Sequence, residues 1–272
     1  MKCELLSNEA KAAELPIARA ERLEFSAVEG LTVCYHQPLY ENPLSRLQSA
    51  IHEGKSLSKL KGRYYKIQSN GGYIHQYYPA VEYYKIAYRM IRDNIHTIIL
   101  ARKDIQNFQK AIQDIYVNKK EKLSTGQTKL SFDMEIYRLR SNLTTYIFSI
   151  RATLDTIAST FQTIYGPQIG QHISFNGLMT HVLSDKCVID DPLLDEFFRN
   201  KMEWFVLLKD VRDYLSHFGA IEFSIKESTS GTLVIEMFRG MKISTFTQIV
   251  DHGFGCLLEF LNVHCAKVAN GA

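Results

Sequence analysis

The chain has little that would tie it together covalently or thread it through a bilayer. Its five cysteines, Cys3, Cys34, Cys187, Cys256 and Cys265, are odd in number, scattered and never spaced Cys-x-x-Cys. That argues against a disulfide framework or zinc ribbon and for a reducing, cytoplasmic setting. No apolar run approaches the roughly 18 residues that a membrane-crossing helix needs. Glu9, Lys11 and Glu14 interrupt the stretch where a secretory leader would be apolar. No membrane is therefore expected among the partners. The usual phosphate, dinucleotide, hydrolase and zinc-protease signatures are also missing: Gly-x-x-x-x-Gly-Lys, Gly-x-Gly-x-x-Gly, Gly-x-Ser-x-Gly and His-Glu-x-x-His. The nine histidines are mostly isolated, so a metal site would have to be assembled from distant positions, and no cofactor is expected.

What is present is the composition of a folded protein. With 272 residues, 46% hydrophobic and 22% charged, the chain can bury a core as one large domain or two modest ones. Its net charge of +3 permits nucleic acid or acidic partners without requiring them. Residues 1–50 carry Pro16, Pro38 and Pro43 and suit short elements and loops. Arg63–Gln68 and Tyr73–Tyr78 flank Ser69-Asn70-Gly71-Gly72, which predicts a β-hairpin because Asn and Gly accept positive φ. Apolar residues from Tyr84 to Ile105 recur at helical spacing and predict a long helix to about Tyr116. The polar segment 118–129 is a candidate linker.

Ile136 to Ile164 marks a second long helix, stopped by Gly166-Pro167. Asp191 and Pro192 suit the N-cap and first position of a third, expected to run to Phe218-Gly219 with Leu194, Phe197, Phe205, Leu208, Val211 and Leu215 inward. Alternation about Ser228–Gly231 predicts a second hairpin, and Thr245 with Gln248 forms a capping box for a last helix.

One segment offers chemistry: Val211-Arg212-Asp213-Tyr214-Leu215-Ser216-His217-Phe218. Arg212 is a permanent cation shaped for phosphate oxygens, and His217 can exchange a proton near neutrality. Together they suit RNA cleavage without metal. His217 would take the ribose 2′-hydroxyl proton while Arg212 stabilises the phosphorane, leaving 2′,3′-cyclic phosphate and 5′-hydroxyl ends. Residues five apart on an ideal helix are rotated by about 140° and separated by about 7.5 Å along it. Convergence therefore requires a distortion at the helix end, or two such helices facing across a twofold axis. Asp213, four before His217, could orient the imidazole. The spacing alone also fits two solvated charges and a histidine favoured by the helix C-terminal dipole.

The segment resembles the catalytic motif of the HEPN superfamily (higher eukaryotes and prokaryotes nucleotide-binding domain), written as Arg, a polar Asn, Asp or His, three variable residues, then His. The resemblance covers about half of the chain, roughly residues 130–268, including a long helix with Ser149-Ile150-Arg151-Ala152-Thr153-Leu154-Asp155. It implies a mainly α fold: a HEPN-like helical bundle over 126–272 with a β-hairpin insertion, preceded by an α/β extension over 1–125 whose role is unassigned. It also implies Arg212 and His217 as catalytic residues with Asp213 in support, RNA as substrate, a homodimer through the bundle, and a role in toxin–antitoxin or antiphage systems. An antitoxin or other regulatory partner is among those the family allows, as is a non-catalytic RNA- or nucleotide-binding module or a structural partner in a larger complex. Gly219 stands where one toxin branch has a tyrosine, a departure from that branch and from its type of antitoxin.

Two further groups are candidates for substrate binding. Arg151 and Asp155, four apart, either line the same cleft or form an exposed ion pair. The basic stretch with Lys59, Lys61 and Arg63 runs into a region holding eight of the fifteen tyrosines, Tyr64 to Tyr88. It either guides RNA by charge and stacking or provides core aromatics beneath a solvated face.

Overall fold

The computed structural model describes residues 44–53, 63–69, 72–78, 80–124, 131–166, 169–170 and 172–269. Over these the protein is mainly helical, with one two-stranded and one three-stranded antiparallel sheet. The elements are α1 (Ser45–Glu53), β1 (Arg63–Ser69), β2 (Gly72–Tyr78), α2 (Ala80–Ser124), α3 (Asp133–Thr160), the single turn α4 (Gln162–Tyr165), α5 (Phe175–Val182) and α6 (Pro192–Asn200). There follow α7 (Glu203–Phe218), β3 (Ser224–Glu227), β4 (Leu233–Met237), β5 (Met241–Lys242), α8 (Ile243–Phe260) and α9 (Ala266–Ala269). A π-helical turn, Leu261–Cys265, joins α8 to α9. Among the described residues no helix is long and apolar enough to cross a membrane.

Contacts gather these elements into two compact units. Of the described residues, one takes those up to Asn94, those within Arg151–Met202 and those from His252 onward; the other takes those within Ile95–Ile150 and Glu203–Asp251. The units alternate along the chain, and α2, α3 and α8 contribute to both. The boundary expected between residues 125 and 126 lies outside the described residues, as do residues 1–43 of the expected extension.

In the first unit, Leu47, Ile51, Tyr84, Tyr88, Leu154, Phe161, Phe175, Leu194, Phe198, Leu257 and Leu261 are fully buried. In the second, Ile105, Ile112, Leu139, Leu143, Tyr146, Phe205, Leu208, Val211, Phe246 and Val250 are buried. Each such side chain contributes about 1.5–3 kcal/mol by leaving water. The strands of the first expected hairpin pair antiparallel, with Arg63 opposite Tyr78 and Ser69 opposite Gly72. The second pairs Glu227 with Leu233 and gains a third strand, β5, that the sequence pattern did not suggest.

The structure revises four helix boundaries. The first long helix was expected to end near Tyr116, but α2 runs on to Ser124, into the polar segment expected as a linker. The second long helix was expected to run unbroken to Ile164, but it stops at Thr160 and resumes as α4 after Phe161. The Ser159, Thr160 and Thr163 hydroxyls donate to the carbonyls of Thr156, Ile157 and Thr160 at 2.6, 2.8 and 2.5 Å. Such back-bonding competes with the helical ladder and bends it. The third helix, expected as one element from Asp191 to Phe218, is two. Lys201 leaves the helical region at φ −124°, ψ 7°. The chain passes from one unit to the other just after Met202, so α6 and α7 each bury an apolar face in a different unit. The last helix opens at Ile243, two residues before the capping-box threonine, because Ile243 and Phe246 are both fully buried.

Candidate functional site

Helix α7 carries the Arg-x4-His segment. Trp204, Phe205, Leu208, Val211 and Leu215 recur at three- and four-residue spacing and bury one face of it. Glu203 sits in the first turn and His217 in the last, where the helix dipole favours an anion and a cation respectively. The helix is regular to its end: the Gly219 N–H donates to the Leu215 carbonyl at 2.8 Å. Gly219 itself, at φ +77°, takes the left-handed conformation that ends a helix.

Of the two routes to convergence, a distortion at the end of this helix is therefore absent, and within one chain Arg212 and His217 leave α7 in different directions. His217 is exposed. Arg212 is half-buried, and its Nη1 pairs with Asp213 Oδ1 at 3.0 Å. Its Nε is buried without a hydrogen-bond partner among the described residues. The expectation that Asp213 orients His217 does not hold. Asp213 turns instead toward the cations, with Lys209 Nζ 3.2 Å from its Oδ2 and Arg212 on its Oδ1. An i,i+4 Lys–Asp pair is favourable on a helix.

At the C-terminal end of α7, three tilted rings form a series. Tyr214 lies 4.7 Å from Phe218 and 5.1 Å from Phe238, centroid to centroid. The Arg239 guanidinium covers Phe238 at 4.6 Å, and its Nη1 approaches Asp210 at 3.8 Å.

Arg151 and Asp155 belong to the other unit and do not form the exposed ion pair considered from the sequence. Arg151 is buried at 7% relative exposure, with Nη2 3.3 Å from Asp155 Oδ1. The same Asp155 oxygen accepts the Phe175 N–H at 2.8 Å, and Ser174 Oγ accepts the Gly177 N–H at 3.1 Å. Asp155 thus helps to cap α5. Lys59 and Lys61 lie outside the described residues; Arg63 opens β1, and its side chain lies outside them too. Of the tyrosines after that stretch, Tyr84 and Tyr88 are core residues with rings 4.5 Å apart.

The first unit also holds a polar network that the sequence did not reveal. Asp191 caps α6 as expected, accepting the Leu194 N–H at 3.1 Å. It also accepts the Tyr165 hydroxyl at 2.7 Å and meets His264 Nε2 at 2.8 Å. Burial pushes the Asp191 carboxyl up, but these hydrogen bonds outweigh it and hold the group below its usual range. Cys265 lies 3.7 Å from the Tyr165 hydroxyl, and burial pushes its thiol up to about 12, so it is a neutral thiol at pH 7. Residues 73 apart in sequence meet here, and only the capping pattern at Asp191 was visible beforehand. The free cysteines among the described residues are Cys187, Cys256 and Cys265, and no cluster of three or more His, Cys, Asp or Glu there could hold a metal ion. No family model matches the chain, and neither does any curated protein or solved structure.

Proposed function

We propose that the protein is a HEPN-like, metal-independent endoribonuclease whose site is completed by two copies of α7 facing each other across a twofold axis. The observation that carries this reading is the exposed His217 imidazole at the end of a regular helix that also bears Arg212. His217 accepts the 2′-hydroxyl proton as the 2′-oxygen attacks phosphorus. Arg212 stabilises the charge on the phosphorane, and the P–O5′ bond breaks. The 5′-oxygen takes a proton from an acid, for which His217 of the second copy is suited. Because Arg212 and His217 diverge within one chain, pooling them from two chains restores the pairing that the chemistry needs. A role in defence, under an antitoxin or other regulator, is part of the same proposal.

A non-catalytic RNA- or nucleotide-binding module is the second reading. The Arg212–Asp213 pair favours it, since the guanidinium must be released from a carboxylate 3.0 Å away before it can reach a phosphorane. The test is cleavage of a mixed RNA pool in EDTA by the unsubstituted chain and by His217→Ala, with analysis of the fragment ends. The enzyme reading expects cyclic phosphate ends that vanish in the variant. RNA binding without cleavage would leave the module; cleavage that survives His217→Ala would remove His217 as the base.

A further inference from the structure

Within the first unit, α1 and the joint between α8 and α9 enclose a cleft of about 460 Å³. That size lies within the range of about 300–1,000 Å³ usual for small-molecule pockets. One wall is α1, where Ser45 and Ser49, a turn apart, both line the cleft. The other is the π turn Leu261–Cys265 with the start of α9, and such turns recur at functional sites. Asn262 of that turn accepts the Arg46 and Leu47 N–H groups at 2.9 and 3.1 Å. These bonds fix the walls against each other and engage donors at the start of α1, so what the cleft offers a ligand is carried by side chains.

Those side chains are open to a ligand. Among the described residues the Arg46 guanidinium, the Lys267 ammonium and the Ser45 and Ser49 hydroxyls have no hydrogen-bond or ion-pair partner, and all four residues line the cleft. No Asp or Glu lines it. Glu53 ends α1 seven residues, about 10.5 Å along the helix, beyond Arg46, and Glu259 lies in α8 before the π turn, outside the lining. Two cations and two hydroxyl donors match a group that spreads two negative charges over several oxygens. A phosphomonoester is such a group, at about −1.5 to −2 near neutrality. A carboxylate or a phosphodiester carries one charge and would leave a cation unpaired. Between the cations, Ala50, Val263 and Ala266 offer an apolar surface for the rest of the molecule.

We infer that this cleft binds a small organic phosphomonoester. Arg46 and Lys267 hold the phosphate oxygens, the Ser45 and Ser49 hydroxyls donate to them, and the organic part lies against Val263 and Ala266. The site uses no residue of the proposed ribonuclease centre and does not rest on that reading.

The test is a proton NMR titration of phenyl phosphate with the full chain at a pH near 8, where broadening of the ligand lines reports binding. Inorganic phosphate, dimethyl phosphate and benzoate are then added as competitors. Dimethyl phosphate and benzoate, as monoanions, are expected to compete about tenfold or more weakly than phenyl phosphate binds, and inorganic phosphate to fall between. Arg46→Gln and Lys267→Gln, both at exposed positions, are each expected to weaken phenyl phosphate about tenfold while leaving the thermal unfolding midpoint in place. Lys110→Gln, at an exposed position of α2 outside the cleft, is expected to leave binding unchanged. No binding of phenyl phosphate at about 10 mM, where a millimolar site is nearly full, would overturn the assignment. Benzoate or dimethyl phosphate matching phenyl phosphate would overturn the dianion, and inorganic phosphate matching it would overturn the organic part. An equal loss in Lys110→Gln would reduce the effect to net charge and overturn the site.

Discussion

Replacing Asp155 by alanine separates a scaffold role from a role in RNA binding. Asp155 holds two partners at once: the buried Arg151, 3.3 Å away, and the Phe175 backbone N–H, 2.8 Å away. Removal takes a charged acceptor from that N–H, worth about 1.5–3 kcal/mol. It also takes a counter-charge from a guanidinium at 9% side-chain exposure, where breaking a fully buried pair costs about 3–5 kcal/mol. Asp155 is itself 33% exposed, so water replaces part of what is lost and the lower part of the second range applies. The two effects share one oxygen and do not add in full. A net cost of about 3 kcal/mol follows, which against a urea slope of about 3 kcal/mol/M lowers the unfolding midpoint by about 1 M. Urea unfolding followed by far-ultraviolet circular dichroism reads this directly. Asp155→Asn keeps an acceptor for the N–H and is expected to fall between the two. The reasoning is refuted if Asp155→Ala unfolds at the same urea concentration as the unsubstituted chain, and most clearly if that variant loses RNA affinity instead.

The other predictions concern two half-buried carboxylates. Asp191 has a lowered pKa, so the stability it provides is fully present above the ordinary aspartate value of 3.8 and is lost as pH falls through the lowered value. Asp191→Asn is therefore expected to be less stable than the unsubstituted chain at pH 7, with the gap closing below pH 3.8; parallel acid-unfolding curves would contradict this. Arg102, at 6% side-chain exposure, donates to Asp251 at 2.7 Å, and Tyr146 donates to the other oxygen at 2.6 Å. Asp251→Leu alone is expected to cost about 3–5 kcal/mol, and adding Arg102→Met to recover much of it. Calorimetric midpoints of the single and double variants decide, and strictly additive losses would show that the two side chains do not act as a pair.

Much of the secondary structure was legible because it is written locally. The alternation on either side of Asn70-Gly71 marked β1 and β2, and Asp191 with Pro192 marked the start of α6. The break between α6 and α7 was not legible, for a physical reason. Phe198 and Phe205 are seven residues apart, two helical turns, so the apolar phase runs through the break unchanged. What ends α6 is the division of the chain between two units, a tertiary fact. The candidate site divides in the same way. The exposure of His217 follows from its place in the last turn beyond the apolar stripe. The partners of Asp213 and Asp155 depended on side chains and a backbone N–H competing for them, and the latter lies 20 residues downstream. The Tyr165–Asp191–His264 network was out of reach for the same reason.

The regularity of α7 through Gly219 has a kinetic consequence. A chain whose arginine and histidine point apart carries half of the proposed shared site, so on the twofold arrangement a single copy is inert. Below the dissociation constant of the pair, the rate of RNA cleavage then rises with the square of protein concentration: a doubling of copies gives four times the activity. A modest change in expression becomes a threshold without any other molecule taking part, and one His217-deficient chain disables the pair it joins, because base and acid need two histidines and that pair holds one.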